Sequence, residues 1–437
     1  MTSEAIEHTP TFIEAWQFKA KIYAALGDDS AAEEAFISAH SLDTADRFLN
    51  AECARYVLKN GKHEEANDIM KRWSIDQQTD ELNTFDLQNI WYEVESANSY
   101  YANGEYLKAF QLFNFIQKHI DTMHKDVYDL HFYTIRKFNL RAYMNIKNMQ
   151  DSIRKNIYVQ KGMIGYIKVC NKFYQKSENG TEEEKEEFEK WVKEEDDKHE
   201  EKKIDTNEWD EYEPPHDPLD KLTDPSGIKD LKKIFEAGIV KTLAEKWLEF
   251  LSYNFENLEL HYYCIPWLLN NKKYTAAIKS LKFLFEKEPE APTTIFSALK
   301  FKEFFTNEAV SSKLKAKQKE TIDSVIEDIF SGQDSKTFLT KNTQEKHEEC
   351  LKAQRFYLKG LKNYIGESLT QDNFKNVFTI LDKAVKDSEF KNKILPQIED
   401  MRKIVSISPE DIKENLIKAA DSVFYRFKDT FPGTKTD

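Results

Sequence analysis

His347 and Cys350 stand one helical turn apart in the stretch HEEC, a spacing that lets an imidazole and a thiolate face one cation. No second His or Cys pair accompanies them, so they read as half of a zinc site with nothing to complete it. His119, His124 and His131 fall on a helix-rich stretch and are expected to be polar or interfacial side chains rather than ligands. The four cysteines, Cys53, Cys170, Cys264 and Cys350, form no CxxC pair, and each lies in an apolar helical context. That pattern predicts small buried hydrophobes in a reducing compartment. Gly162 and Gly165 make a GxxG, but inside a helical period, where close helix packing explains them better than phosphate binding. GxGxxG, GxxxxGK[ST], GxSxG and HExxH do not occur. The expectation is therefore no catalytic residue, no catalytic cofactor and no metal site.

The elements that must carry these residues are helices. Only 12 Gly and 11 Pro occur in 437 residues, too few for a turn-rich β-fold, and 30 Phe with 20 Tyr supply ample core. No signal peptide opens the sequence, and no apolar run approaches the roughly 18 residues a membrane helix needs, which predicts a cytoplasmic protein without a membrane partner. Nor is there a basic stripe interleaved with aromatics of the kind that binds DNA.

The helices repeat. Trp16, Ala20, Tyr23, Gly27, Ala32, Phe36 and Ala39 fit the spacing of a tetratricopeptide-type pair, in which small residues let two antiparallel helices approach. A second copy places Ala54, Val57, Gly61, Ala66 and Met70 at matching positions, and a third places Ala97, Tyr100, Gly104, Ala109 and Phe113. Glycine thus recurs at one inter-helix corner. Asp43 or Thr44 is expected to cap the second repeat's first helix. LHFYTIRKFNLRAYMNI and IYVQKGMIGYIKVCNKFY read as further amphipathic helices. In the later pair Tyr274, Ala277, Leu281 and Pro289 take the second-helix positions, and Pro266 should kink or break the first. Ser408 to Asp411 reads as a cap before a late helix.

Residues 178–213 hold 18 acidic against 6 basic side chains, so nearly all of the −14 net charge lies there. The segment reads as a charge-laced helix, with Glu186 and Lys190 paired, followed by a proline-rich linker. Trp191, Trp209 and Tyr212 read either as anchors that dock the segment back on the array or, the reading preferred here, as incidental aromatics on an acidic tether. The predicted architecture is an all-α, tetratricopeptide-like helical-repeat superhelix (α-solenoid). It has repeats over 1–176, an acidic linker over 177–227 and a degenerate helical region over 228–437. Such arrays bind other polypeptides on their inner surface.

HTPTFIEAWQFKAKIY (His8 to Tyr23) followed by LDTADRFLNAECARY (Leu42 to Tyr56) closely resembles the auxiliary subunit of the N-terminal acetyltransferase A complex. The likeness continues through DLHFYTIRKFNLRAYM and, more weakly, through YIKVCNKFY and KKYTAAIKSLKFLF, and corresponds to the C-terminal half or so of the family protein. It implies a non-catalytic scaffold that wraps a GNAT-fold catalytic subunit, presents it to nascent chains at the ribosome, and works with a small regulatory subunit. It also implies inositol hexakisphosphate at the subunit interface. The candidate ligands are Arg47 at the corner, Arg55 two turns later, Lys59 one turn beyond, Lys19 and Lys21 from the preceding repeat, and the Tyr56 hydroxyl. Two features depart from the family pattern. Glu52 stands where a basic residue is expected, and residues 178–213 are acidic where relatives are rich in Lys and Arg, which weakens ribosome docking. The competing reading is a scaffold of the same ancestry serving another large assembly.

Overall fold

A computed structural model describes residues 1–72, 84–125, 127–177, 181–200 and 227–430, and every regular element among them is helical. The described residues belong to two compact units, Met1–Tyr56 with Asn257–Asp437, and Val57–Glu256.

In the first unit, Ile13–Ala25 and Asp29–Leu42 form the expected helix pair. Ala20, Ala32, Phe36 and Ala39 are fully buried, so the small residues lie at the crossing and Phe36 fills the space beside it. Gly27 turns the chain at φ +77°, a left-handed conformation that other residues adopt only at a cost. Asp28 caps the second helix by accepting from the Ala31 N–H at 3.0 Å. The corner is closed by residues far along the chain. Ile398 packs on Gly27, Arg402 Nη2 donates to the Gly27 carbonyl at 2.9 Å, and Arg426 lies 3.6 Å from Asp28 Oδ2.

Two local expectations differ from the structure. The helix Arg47–Lys59 is capped by Asp46, whose Oδ1 accepts from the Phe48 N–H at 2.7 Å; Asp43 instead binds the Ala45 N–H. Ser408 does not cap the helix Glu410–Asp421, because its hydroxyl donates back to the Val405 carbonyl. Pro266 lies inside the helix Leu258–Asn270, which does not end there. The following helix, Tyr274–Lys287, buries Ala277 and Leu281 as the spacing predicts.

In the second unit, Gly61 and Gly104 turn at φ +77° and +85°, matching Gly27. The third pair is Ile90–Ala102 with Tyr106–Lys125, and it buries Ala97, Ala109 and Phe113. It meets the preceding pair through the Ser99 hydroxyl, which donates to the Leu58 carbonyl, and through the His63 ring, stacked 3.6 Å from Tyr100. The helix Ile157–Ser177 lies against Tyr106–Lys125 with Gly162 facing Ile116 and Gly165 facing Phe113. Both glycines of the GxxG are thus packing residues.

The acidic helix Glu182–Glu200 is anchored, contrary to the expectation for its aromatics. Phe188 is buried, and Trp191 stacks at 26° on Phe173, with ring centroids 6.1 Å apart. Lys185 pairs with Glu182 and Lys190 reaches Glu194, in place of the expected Glu186–Lys190 pair. Trp209 and Tyr212 lie outside the described residues.

Two glycine substitutions separate packing from backbone strain. A Cβ at Gly165 would overlap the Phe113 ring, so Gly165→Ala should cost roughly 1–3 kcal/mol, reversing the usual gain from Gly→Ala in a helix. A Cβ at Gly104 would meet nothing within 4 Å, so Gly104→Ala should cost only about 1 kcal/mol of left-handed strain. Urea unfolding of the two variants tests this, and equal losses would show that the Gly162–Gly165 contact is not close-packed.

Candidate functional site

The sequence-predicted basic residues fall on two helices. On Ile13–Ala25, the Lys19 amine lies over the Trp16 ring, 5.2 Å from its centroid, and 6.0 Å from that of Tyr23. Lys21, exposed, is two residues on and so projects from a different side of that helix. On Arg47–Lys59, Arg47 and Lys59 are exposed near the two ends, and Arg55 is half-buried between them. Arg55 Nη1 donates to Glu52 Oε1 at 2.6 Å, so the carboxylate that departs from the family pattern is this guanidinium's ion-pair partner. Tyr56 stacks on Phe36 with centroids 4.7 Å apart. Burial pushes its hydroxyl above the ordinary tyrosine range, which makes it a neutral donor.

The residues with metal-ligating chemistry do not converge. His347 meets the Glu290 carbonyl at 3.0 Å while the Cys350 thiol turns to Gln397, so the HEEC pair divides between partners. His119 is fully buried against Glu93, Nε2 to Oε1 at 2.7 Å, and His131 meets the Tyr143 hydroxyl. His124's side chain is outside the described residues. Among the described residues no three His, Cys, Asp or Glu side chains could share a metal ion. Cys53, Cys170 and Cys264 are buried and Cys350 is partly exposed; burial pushes the Cys170 and Cys264 thiols above their ordinary range.

A surface that sequence reasoning missed lies in the second unit. The stretch read as one amphipathic helix is two, Val127–Lys137 and Leu140–Ser152, broken where Phe138 adopts φ +55°. The helix Leu140–Ser152 has no buried residue at all. Phe132, Phe138, Leu140, Met144 and Ile157 are each at least half exposed, Phe138 by 86%. A shallow depression beside them is lined by Phe138, Leu140, Arg141 and Asn145. The surface is held from beneath. His131 and Tyr143 join the two helices, and Arg154 beyond them lies over the Tyr253 ring at 4.5 Å while reaching Asp121 and Glu249. Helical periodicity alone could not reveal this, because an apolar face looks the same whether its partner is in the chain or outside it.

Among the described residues no group of three metal-ligating side chains is brought together, and the fold places the chain in the tetratricopeptide-like helical-repeat class. The sequence pattern of the family described as "N-terminal acetyltransferase A, auxiliary subunit" matches residues 1–213. The human protein "N-alpha-acetyltransferase 16, NatA auxiliary subunit" is 32% identical over 170 residues, 39% of this chain and 20% of that protein. In Arabidopsis thaliana, "N-terminal acetyltransferase A complex auxiliary subunit NAA15" is 32% identical over 172 residues, 39% of this chain and 19% of that protein. A chain in the solved structure of Naa15/Naa10 bound to HypK-THB superposes with a TM-score of 0.55 at 20% identity, covering 74% of this chain and 42% of that one. Over its first 213 residues the chain is therefore similar to the NatA auxiliary-subunit family. It spans about a fifth of the length of the curated relatives it matches.

The Glu93–His119 pair is fully buried, with Nε2 2.7 Å from Oε1. Glu93→Ala would leave His119 in the core without its carboxylate, and should lower unfolding stability by roughly 1–3 kcal/mol. Glu93→Gln, which keeps a hydrogen-bonding oxygen, should lose less. Chemical denaturation of both variants measures the difference; an unaffected Glu93→Ala would rule out a structural role for the pair.

Proposed function

We propose that this chain is a non-catalytic scaffold subunit that holds and positions a GNAT-fold catalytic subunit for acetylation of protein N-termini in the cytoplasm. The observation that carries the reading is the match of residues 1–213 to the NatA auxiliary-subunit family, because the exposed apolar helices Val127–Lys137 and Leu140–Ser152 lie inside it. An amphipathic helix with no buried residue gains stability when a partner covers it, and Phe138, Leu140 and Met144 offer such a partner apolar area beside the Arg141 charge. The structural relative was solved with Naa10 and HypK-THB, which supports a role in carrying partners. The absence of a membrane-length apolar helix among the described residues is in keeping with this reading. A second reading, the same scaffold redeployed in another assembly, is favoured by the reversed charge of residues 178–213.

Affinity purification of the chain from its own cells, followed by mass spectrometry, separates the two. Recovery of a GNAT subunit in near-equal amount supports the first reading, and a different stoichiometric neighbour supports the second. The double variant Phe138→Asp with Met144→Asp should keep the helical circular dichroism of the parent, since both side chains are exposed, and lose that partner at least tenfold. Retention of the partner would move the interface elsewhere.

Inositol hexakisphosphate is proposed to bind near Arg47 and Arg55, where it must compete with Glu52 for the Arg55 guanidinium. Glu52→Gln should therefore tighten binding by roughly 3–10-fold, and Arg55→Gln weaken it, by isothermal titration calorimetry. Equal affinity in all three proteins would remove Arg55 from the site.

A further inference from the structure

The apolar hairpin of the second unit, Val127–Lys137 with Leu140–Ser152, carries charge of one sign. Residues 130–150 hold four basic side chains, Arg136, Lys137, Arg141 and Lys147, and no acidic one, in a chain where 77 of 437 residues are Asp or Glu. Lys147 pairs with Asp151 at 2.7 Å. The other three are exposed, and among the described residues no carboxylate oxygen comes within 4.0 Å of any of them. Each stands beside exposed apolar area. Phe132 lies one helical turn before Arg136, Tyr133 one turn before Lys137, and Arg141 borders the row made by Leu140 and Met144. Tyr143 turns the other way, to His131, which leaves that row facing outward.

We propose that the outer face of this hairpin binds an amphipathic helix of another polypeptide, one whose apolar ridge is flanked by carboxylates. This rests on the reading of the hairpin as a partner surface and names the chemistry of what covers it. The apolar residues set the shape. Leu140 and Met144, four apart, form a ridge on a helix about 20 Å long, and such ridges pack into the grooves of a second helix. Every regular element among the described residues is helical, so an extended peptide finds no sheet edge for its backbone, whereas a helix satisfies its own. The exposed thioethers of Met144 and Met149 adjust to the incoming side chains. Charge then selects the partner, because Arg136, Lys137 and Arg141 gain counter-ions from carboxylates on its flanks. Nucleic acid and anionic bilayers also take basic surfaces. Three cations, however, fall short of the phosphate contacts that tight nucleic-acid binding uses and of the polybasic clusters that hold a protein to lipid. The net charge of −14 opposes both, and Leu140 and Met144 offer a base no ring to stack on.

The probes are three synthetic peptides of about 20 residues, each an amphipathic helix with Leu at positions i, i+3, i+4 and i+7 and with Glu, Gln or Lys on its flanks. Fluorescence anisotropy reads their affinities for the full chain. The Glu peptide should bind roughly tenfold tighter than the Lys peptide, with the Gln peptide between, and should lose most of that lead in about 0.5 M salt. Arg136→Glu with Arg141→Glu should reverse the order, and Phe138→Asp with Met144→Asp should weaken all three. Equal affinities for the Glu and Lys peptides, an order untouched by the charge reversal, or no binding by any peptide would overturn the proposal. So would tighter binding of oligouridylate or of phosphatidylserine vesicles than of the Glu peptide. The scaffold reading is judged separately, by recovery of a GNAT subunit with the parent chain. That recovery without a preference among the peptides strikes the acidic helix and leaves the scaffold standing; a Glu preference without that recovery does the reverse.

Discussion

Every helix pair in this chain depends on how closely two backbones can approach. The approach is set by buried small residues, Ala20 and Ala32 in one pair and Ala97 and Ala109 in another, and by Gly162 and Gly165 where they meet Ile116 and Phe113. Small residues at a crossing bring the backbones together, and large rings such as Phe36 and Phe113 then fill the space left on either side. The corner glycines follow from the same constraint. A reversal of three residues between closely packed antiparallel helices is made with a left-handed residue, and Gly27, Gly61 and Gly104 supply it at nearly the same φ. Packing distance, turn conformation and repeat length are one problem solved three times.

That problem is local, which is why it was legible in the sequence. The residues that solve it recur at fixed spacing, and both halves of each helix pair lie within one repeat. What was not legible required knowledge of distant neighbours or of fine turn chemistry. Gly27 is contacted by Ile398 and Arg402 from the other end of the sequence, and no periodicity connects them. The cap at Asp46 rather than Asp43 reflects competition between two nearby carboxylates for the same short run of N–H groups, which residue type cannot decide. The candidate site was only partly legible. Arg55 and Glu52 are three apart on a helix, so their pairing could be read; the break at Phe138 that exposes the apolar hairpin could not.

The Gly27 corner is closed by residues from far along the sequence. A tight turn leaves a carbonyl and some apolar surface that gain from being covered by another element. Here Ile398 covers the turn, and Arg402 satisfies the carbonyl of Gly27. Asp28 is nearly inaccessible while it caps a helix, and burying such a carboxylate is costly without a counter-charge. Arg426 stands where that charge is needed. The first repeat and the last helices are thus parts of one unit for an electrostatic reason as well as an apolar one.

The second unit has an apolar core but departs from the ordinary placement of polar and apolar groups at a few positions. Glu93 and His119 sit in its core, with no exposure worth noting, while Phe138 and Met144 stand on its surface. A buried pair of this kind costs desolvation of both members, and burial indeed drives the Glu93 carboxyl above its ordinary range. What the pair returns is directional: a 2.7 Å contact between two adjacent helices fixes their rotation more tightly than apolar packing can. The exposed side chains of Phe138, Leu140 and Met144 lie outside this core, and each Å² of them that a partner covers would gain about 25 cal/mol.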